Sequence, residues 1–337
     1  MARDSRVVGR HGGDYPMLLR ARAKPPRPLT HLLRPQFFRP HVITSALPGF
    51  LPKLRAFGGL RTPLPDPSPE TLGRLGTLEA RLARTAHEVR KAQKLRYRVF
   101  YEEMSAIADA TTKLARRDID PFDSICDHLF VLDHATKSWA HGNKPAIVGT
   151  YRLLRQDVAE RHGGFYSANE FDVGALVARH PTLRFLELGR SCVLPPYRNK
   201  RTVELLWHGI WSYVLQHRMD VLIGCASLEG TDPDALAQPL SFLHHFARAP
   251  EPWRTQALPR RYVEMNRMPK RAIDQKAALH ALPPLIKGYL RLGASIGDGA
   301  VVDRQFGTTD VLIVLPVSAI SARYIEHFGP GAERHAA

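Results

Sequence analysis

Proline divides this chain into two parts that cannot fold in the same way. Residues 1–70 hold 12 of the 27 prolines, with dense runs at 25–28 and 63–69. Proline lacks the backbone N–H that helix interiors and central strands need, so such runs exclude continuous regular structure. The same residues carry 12 Lys and Arg against four Asp and Glu, a net charge of +8 (12 − 4). We interpret residues 1–70 as a mostly disordered basic arm and expect the folded part from residue 71 onwards.

From residue 71 the apolar residues alternate between the strand period and the helix period. Thr85 and Glu88 have the spacing of a capping box, and an amphipathic helix is predicted from there to Phe100. The predicted strands are 78–83, 128–132, 146–154, 185–193, 221–225, 300–303 and 311–315. The other predicted helices are 202–216, 235–246, 283–292 and a last one that ends at Phe328. This order indicates an α+β or α/β fold and excludes a helical bundle. Residues 71–250 are predicted as the core, and residues 251–337 as a C-terminal α/β extension packed on it.

Charge and cysteine content limit the partners and the compartment. The net charge is +16 and the pI about 10.1, which favours an acidic partner: nucleic acid, anionic lipid or an acidic protein. Half of that charge lies in the arm, and no aromatic-basic motif is present, so nucleic acid is not expected. The three cysteines have neither the spacing of a disulfide framework nor that of a zinc site, so no metal is expected. No apolar run could span a bilayer, and no secretory signal is seen. We expect a cytoplasmic protein, with contact to the inner-membrane surface left open.

Four short motifs occur in the order found in acyl-homoserine-lactone synthases, which this chain resembles. Their charged and aromatic positions are Arg96 with Phe100, Asp120 with Asp123, Arg152, and Glu187 with Arg190. A closer resemblance is to the ornithine N-acyltransferases of ornithine-lipid synthesis, a hemolysin-like family. It extends from about residue 78 to 328 and depends on the segments 95–103, 126–129, 187–193 and 282–293.

This resemblance implies an α+β, GNAT-like fold, with a mixed central sheet flanked by helices. It also implies 3-hydroxyacyl carrier protein as the donor, L-ornithine as the acceptor and lyso-ornithine lipid as the product. The substrate-binding residues that it implies are Arg96, Phe100, Asp120, Asp123, Arg152 and Arg190. An acyl-homoserine-lactone synthase-like acyltransferase is the alternative within the same class. A basic protein that binds a membrane or nucleic-acid surface is the alternative outside it.

One segment departs from the pattern of acetyl-CoA-dependent GNAT proteins. Those proteins have a glycine-rich turn, whose backbone amides hold pyrophosphate at a helix N-terminus. Here residues 198–203 contain no glycine, so free CoA is not the expected donor. We expect no bound cofactor, because phosphopantetheine arrives on the carrier protein. Arg198, Lys200 and Arg201 are predicted to meet its phosphodiester or the acidic carrier surface.

The chemistry of acyl transfer to an amine narrows the candidate catalytic residues. The amine must lose a proton, which calls for a carboxylate or a histidine with a tuned pKa. Glu187 lies between two leucines on a predicted strand, and we assign it as the candidate base; the other interpretation is an ion pair with Arg152 or Arg190. His128 is the fallback base. Its spacing from Asp133 resembles a His–Asp acyltransferase motif, but residues five apart on a regular strand point to opposite faces.

Asp120 and Asp123 precede a predicted strand, and two interpretations stay open. The pair could bind the side-chain ammonium of ornithine, while an arginine binds its carboxylate. Asp followed by proline also starts turns, so the two carboxylates could instead cap a turn. Arg152 could bind the substrate carboxylate or brace this loop.

Overall fold

A computed structural model of the chain describes residues 71–138, 144–321 and 324–325. The predicted arm at 1–70 lies outside the described residues, as does the predicted end of the last helix at Phe328. No helix in the described ranges is long and apolar enough to cross a membrane.

Within these ranges, nine strands form a single mixed sheet. They are β1 Gly73–Leu75, β2 Leu78–Leu82, β3 Asp127–Ser138, β4 Lys144–Arg155, β5 Phe185–Val193, β6 Val221–Glu229, β7 Ser295–Ile296, β8 Val301–Asp303 and β9 Thr308–Pro316. Their spatial order is β1-β2-β3-β4-β5-β6-β9-β7, and β8 also pairs with β9. Only the β5–β6 pair is parallel among these strands. The described part of the 251–337 segment therefore adds β7, β8 and β9 to the same sheet.

Helices lie on both faces of this sheet. They are α1 Ala86–Tyr97, α2 Ala110–Ala115, α3 Gln156–Arg161, α4 Val173–Ala178, α5 Lys200–His217, α6 Ala237–Phe246, α7 Gln275–Ala281 and α8 Pro284–Arg291. Side chains of α5 to α8 form the larger apolar core on one face. Side chains of α3 and α4 form a second core on the other face, on which α1 also packs. The predicted α+β class, with a mixed central sheet flanked by helices, is confirmed.

The local sequence signals predict the long elements well and the short ones poorly. The hydroxyl of Thr85 accepts from the N–H of Glu88, as predicted for the start of α1. The return bond differs from the prediction, because the Glu88 carboxylate accepts from the N–H of Arg84 instead. The helix predicted to end at Phe100 continues as a π-helix over Arg98–Glu103. The elements β1, β7, α2, α3, α4 and α7 were not predicted, since none is long enough to show a clear period.

The pairing of β5 with β6 stops after three residues. The candidate site residues lie around the point where it stops. Phe185, Leu186 and Glu187 pair with 221–223, and no further pairs follow in the described residues. At Gly224 the backbone of β6 still lies close to that of β5. Any side chain there would clash, because a Cβ would lie 2.2 Å from the carbonyl oxygen of Leu188. Beyond this point the two parallel strands no longer pair, and the space between their unpaired ends is termed the cleft.

A bulge in β5 opposite β4 redirects one side chain beside this cleft. Thr150 pairs with Cys192 and Arg152 with Gly189, so one residue of β4 faces two residues of β5. Arg190 takes up the extra length with φ of +49°, a left-handed conformation that is uncommon outside glycine.

Candidate active site

Strand register places the predicted site residues on one face of the sheet. His128 is paired with Arg152, which is paired with Gly189, and Glu187 is paired with Ile223. Because side chains alternate along a strand, His128, Arg152 and Glu187 project to the same side. The loop 116–124 and the loop 162–172 cover this side. The sheet thus brings together residues that lie far apart in the sequence.

Three arginines and three aspartates form a buried ionic network at the base of this face. Arg96 lies 2.7 Å from both Asp118 and Asp123, and its side chain has no exposure. Arg152 lies 2.9 Å from Asp120 and 3.3 Å from Asp123. Arg190, redirected by the bulge, lies 2.9 Å from Asp120 and 3.3 Å from Asp118. The formal charges cancel, which is the condition under which buried charges are tolerated.

Asp120 and Asp123 take part in this network and also cap a turn. Asp120 is the N-cap of the 3-10 turn Pro121–Ser124, and its carboxylate accepts from the N–H of Phe122. The Asp123 carboxylate accepts from the N–H of Asp120. Burial opposes ionisation of Asp123, but Arg96 and Arg152 outweigh it and hold its pKa below the usual range. The capped turn, one of the two interpretations of the sequence, is therefore present. The same two carboxylates also pair with arginines.

Aromatic rings surround the two arginines that face the cleft. The guanidinium carbon of Arg190 lies 4.9 Å from the ring centre of Tyr166 and 5.0 Å from that of Phe306. That of Arg152 lies 5.3 Å from Tyr166. Phe100 packs edge-on against Phe306 at 5.7 Å. Such contacts fix the guanidinium planes and shield them from water.

Glu187 is buried and accepts three hydrogen bonds from one loop. Its donors are the N–H of Tyr166 at 2.8 Å, the N–H of Ser167 at 2.7 Å and the Ser167 hydroxyl. Burial raises the pKa of Glu187, and these donors oppose the shift. The predicted role of Glu187 as the base stays a prediction; its observed contacts hold the loop 166–167 against β5.

His128 is buried beside the network and uses one ring nitrogen. Its Nε2 donates to the backbone oxygen of Asp123 at 2.9 Å, and its Nδ1 has no hydrogen-bond partner among the described residues. Burial lowers the pKa of His128, so the ring is neutral at pH 7. Asp133 accepts from Thr136 and Tyr197 instead. Histidine and aspartate thus form no dyad, as strand parity predicts.

The cations predicted to meet the carrier protein lie at the start of α5. Asn199 caps this helix by accepting from the N–H of Thr202. Arg198 forms a two-point ion pair with Glu103, the last residue of the π-helix. Lys200 pairs with Glu204 at 3.3 Å, and both are in the first turns of the helix. The predicted binding role of Arg198, Lys200 and Arg201 stays a prediction.

Two acidic residues of this face were not found from the sequence. Asp118 binds Arg96 through its side chain and its backbone oxygen, and it also accepts from the hydroxyl of Tyr101. Glu170 lies at the end of the loop that Glu187 anchors, and its carboxylate accepts from the thiol of Cys225 at 3.3 Å. Neither residue belongs to a recognisable motif: Asp118 faces the helix formed by α1 and its π-helical end, and Glu170 faces Cys225 of β6.

A pair of parallel strands that opens beside buried carboxylates and arginines is the arrangement of an N-acyltransferase of the GNAT class. In agreement, residues 95–208 match the family model described as an acetyltransferase (GNAT) domain. The chain belongs more narrowly to the L-ornithine N(alpha)-acyltransferases. It is 59% identical to the Agrobacterium fabrum enzyme of that name over 78% of this chain and 88% of that one. The Rhizobium meliloti enzyme of that name is 56% identical over 82% of this chain and 92% of its own.

These findings confirm the predicted family and the predicted enzyme class. The Brucella abortus L-ornithine N(alpha)-acyltransferase is also 56% identical, over 78% of this chain and 92% of its own. Among solved structures, the CoA-dependent acyl-homoserine-lactone synthase BjaI aligns over 72% of this chain and 83% of its own. Its identity is 14% and its TM-score 0.38, a similarity that says nothing about the acyl donor.

Proposed function

We propose that this enzyme transfers a 3-hydroxyacyl group from acyl carrier protein to the α-amine of L-ornithine, giving lyso-ornithine lipid. This is the first step of ornithine-lipid synthesis. The observation that carries the proposal is the early end of β5–β6 pairing beside buried ionisable side chains, in a chain 59% identical to an L-ornithine N(alpha)-acyltransferase. A thioester placed in the cleft would lie against strand residues of β5 that have no pairing partner on β6. Unpaired backbone N–H groups of that kind can stabilise the oxygen of a tetrahedral intermediate.

The start of α5 supports a carrier protein rather than free CoA as the donor. The first turn begins at Lys200 and holds no glycine, so it lacks the close backbone cradle that pyrophosphate needs. A pantetheine arm has a single phosphodiester, which the cationic side chains of Lys200 and Arg201 can bind. The acidic surface of the carrier protein is attracted by the same cations. Phosphopantetheine then reaches the site as part of the donor, and the enzyme needs no bound cofactor.

The acceptor is a zwitterion with a second ammonium group, and the site offers both signs of charge. Arg190 is held at the cleft by the bulge, and a guanidinium can bind a carboxylate in two-point fashion. Asp303 and Asp310 lie beside Glu170, with the carboxylate oxygens of all three within 4.8 Å of one another, and Arg261 pairs with Glu170. The two aspartates favour an acceptor with a cationic side chain, such as ornithine, because its second ammonium group would offset their negative charge.

The proposal includes a reaction in the cytoplasm, at the inner face of the membrane. Cys126, Cys192 and Cys225 are free thiols, as a reducing compartment allows. Residues 104–119 include four large apolar side chains that are 42–90% exposed, at positions 104, 107, 114 and 119. The cations Lys113 and Arg116 lie among them. Apolar and basic side chains together favour an anionic bilayer surface.

The donor is tested with the purified full-length chain, ornithine, and either 3-hydroxyacyl carrier protein or the matching acyl-CoA. We expect transfer from the carrier protein to dominate and its kcat/KM to fall as salt rises beyond about 0.15 M, where the screening length is about 8 Å. Surface charges act mainly on the association rate, so KM should change more than kcat. Equal use of acyl-CoA, with no effect of salt, would contradict both the donor and the role of α5.

A further inference from the structure

Glu187 has little hydrogen-bonding capacity left for a substrate. Both of its carboxylate oxygens accept backbone N–H groups, and one of them also accepts the Ser167 hydroxyl. Its side chain lies at the closed end of the cleft, because Glu187 is the last residue of β5 that pairs with β6. These contacts suit an anchor for the loop 166–170. Acceptance of a proton from the acceptor amine calls for a carboxylate with free hydrogen-bonding capacity.

Glu170 is carried by the same loop but lies further towards the open end of the cleft. Its carboxylate contacts Cys225, two residues beyond Ile223, the partner of Glu187. Two residues along a strand correspond to about 7 Å on the same face. On this face of β6 the exposure increases along the strand: Ile223 is buried, Cys225 is half-buried and Ser227 is exposed. Glu170 itself is 4% exposed, so its carboxylate lies buried beneath the end of the cleft at which β6 becomes exposed.

Charged groups from several elements surround this carboxylate. Asp310 of β9 and Asp303 of β8 lie near the Glu170 carboxylate. Arg261, which lies in a loop, forms an ion pair with Glu170 at 3.2 Å. Tyr166 of its own loop and Cys225 of β6 complete the ionisable surroundings. Burial first, and then the charge of Asp310, raise the pKa of Glu170 to about 7, while Arg261 opposes the shift. A carboxylate with a pKa near the working pH is well matched to accept a proton.

We propose that Glu170 is the catalytic base, which takes a proton from the α-ammonium of the acceptor bound in the cleft. This inference rests on the proposed function. The free amine then attacks the thioester carbonyl carbon, forming the C–N bond. The C–S bond breaks, the thiolate leaves with the electron pair, and it takes the second proton from the attacking nitrogen. The first proton passes from Glu170 to solvent, so one amide, one thiol and one proton are the products.

The test compares pH profiles of kcat/KM for the wild-type enzyme, Glu170→Gln, Glu170→Asp and Glu187→Gln. Glu170→Gln is expected to lower kcat by about a hundredfold. It should also remove the acid limb of the pH profile, the part in which kcat/KM rises as pH approaches 7.

Glu170→Asp should keep that acid limb at a lower rate. Glu187→Gln should lose activity as the loop shifts, yet keep the limb. Glu229→Gln, an exposed acid at the end of β6, is the control and should behave as wild type.

Thermal unfolding gives a readout that does not depend on activity. The pKa of Glu170 is raised from its ordinary value of 4.5 to about 7, so its contribution to stability is full below pH 4.5 and is lost as pH rises through 7. Glu170→Gln should therefore gain stability relative to wild type as pH rises from about 5 to about 8.

The possible outcomes separate this inference from the proposed function. An enzyme that acylates ornithine, with wild-type rate and acid limb in Glu170→Gln, would overturn only the role of Glu170. Loss of the limb in Glu187→Gln alone would also overturn that role and leave the proposed function intact. A wild-type enzyme that does not acylate ornithine at all would instead contradict the proposed function.

Discussion

The side chain of Arg96 is fully enclosed, and its charge is balanced by two carboxylates at 2.7 Å. Such a network adds little stability over an apolar core, but removing one partner leaves an uncompensated buried charge. The cost of a substitution is then set by the partner that stays behind. At the residue scale, therefore, the network is expected to be sensitive to single neutral replacements.

Asp123→Asn should lower the free energy of unfolding by about 3–5 kcal/mol at pH 7. It removes a charge that faces both Arg96 and Arg152. The pKa of Asp123 is lowered in the fold, so its contribution is present above its ordinary pKa and is lost as pH falls through the folded value. The deficit measured by urea unfolding should therefore shrink below about pH 4.

Asp157→Asn is the matched control for this prediction. Asp157 pairs with Arg161 on the surface, where the aspartate side chain is 59% exposed. Exposed pairs contribute about 0–1 kcal/mol, so this variant should unfold like the wild-type enzyme. If Asp123→Asn unfolds at the same urea concentration as this control, the buried network does not stabilise the fold.

At the scale of elements, the sequence predicts what depends on local patterns. The strands β2, β4 and β5 and the helix α5 follow from hydrophobic periodicity within a few residues of their observed bounds. The bulge at Arg190 and the short contact of β5 with β6 do not, because they depend on register between strands. Most of the substrate-binding candidates implied by the resemblance lie together in the buried network. Asp118 and Glu170 could not be predicted, since each belongs to no motif and meets its partners only through the packing of its loop on other elements.

Gly224→Ala is predicted to disturb the cleft itself. The added Cβ would lie 2.2 Å from the carbonyl oxygen of Leu188, and backbone cannot move aside as a flexible side chain can. We expect β6 to shift, a loss of about 1–3 kcal/mol in unfolding free energy, and a fall of about a hundredfold in kcat. Calorimetry and a steady-state acylation assay measure the two effects.

Gly174→Ala provides the comparison within the same chain. Gly174 lies in α4, and a Cβ there meets nothing within 4 Å. Alanine favours helix over glycine by up to about 1 kcal/mol, so this variant should be as stable as wild type or slightly more so. Equal activity of the two glycine variants would show that the close approach of β6 to Leu188 does not shape the site.

At the scale of the whole molecule, a strongly basic enzyme whose proposed product is a lipid is expected to meet a bilayer. Leu114 is 90% exposed on α2, beside Lys113 and Arg116. Leu114→Glu should weaken binding of the full-length chain to anionic vesicles by roughly fivefold, given about 1 kcal/mol per charge near the surface. Vesicle sedimentation at low salt measures this binding.

Leu279→Glu is the control, because Leu279 is also exposed, at 43%, but lies on α7. An equal loss in both variants would show that residues 104–119 are not the contact.

The most direct test of the proposed reaction follows nitrogen from the acceptor into the product. The purified chain is incubated with 3-hydroxyacyl carrier protein and ornithine labelled with ¹⁵N at the α-position only, and the product is fragmented in a mass spectrometer. The proposed function predicts one amide product, with the acyl group on the labelled nitrogen. Acylation of the unlabelled side-chain nitrogen, or transfer only to S-adenosylmethionine supplied in a parallel reaction, would contradict it.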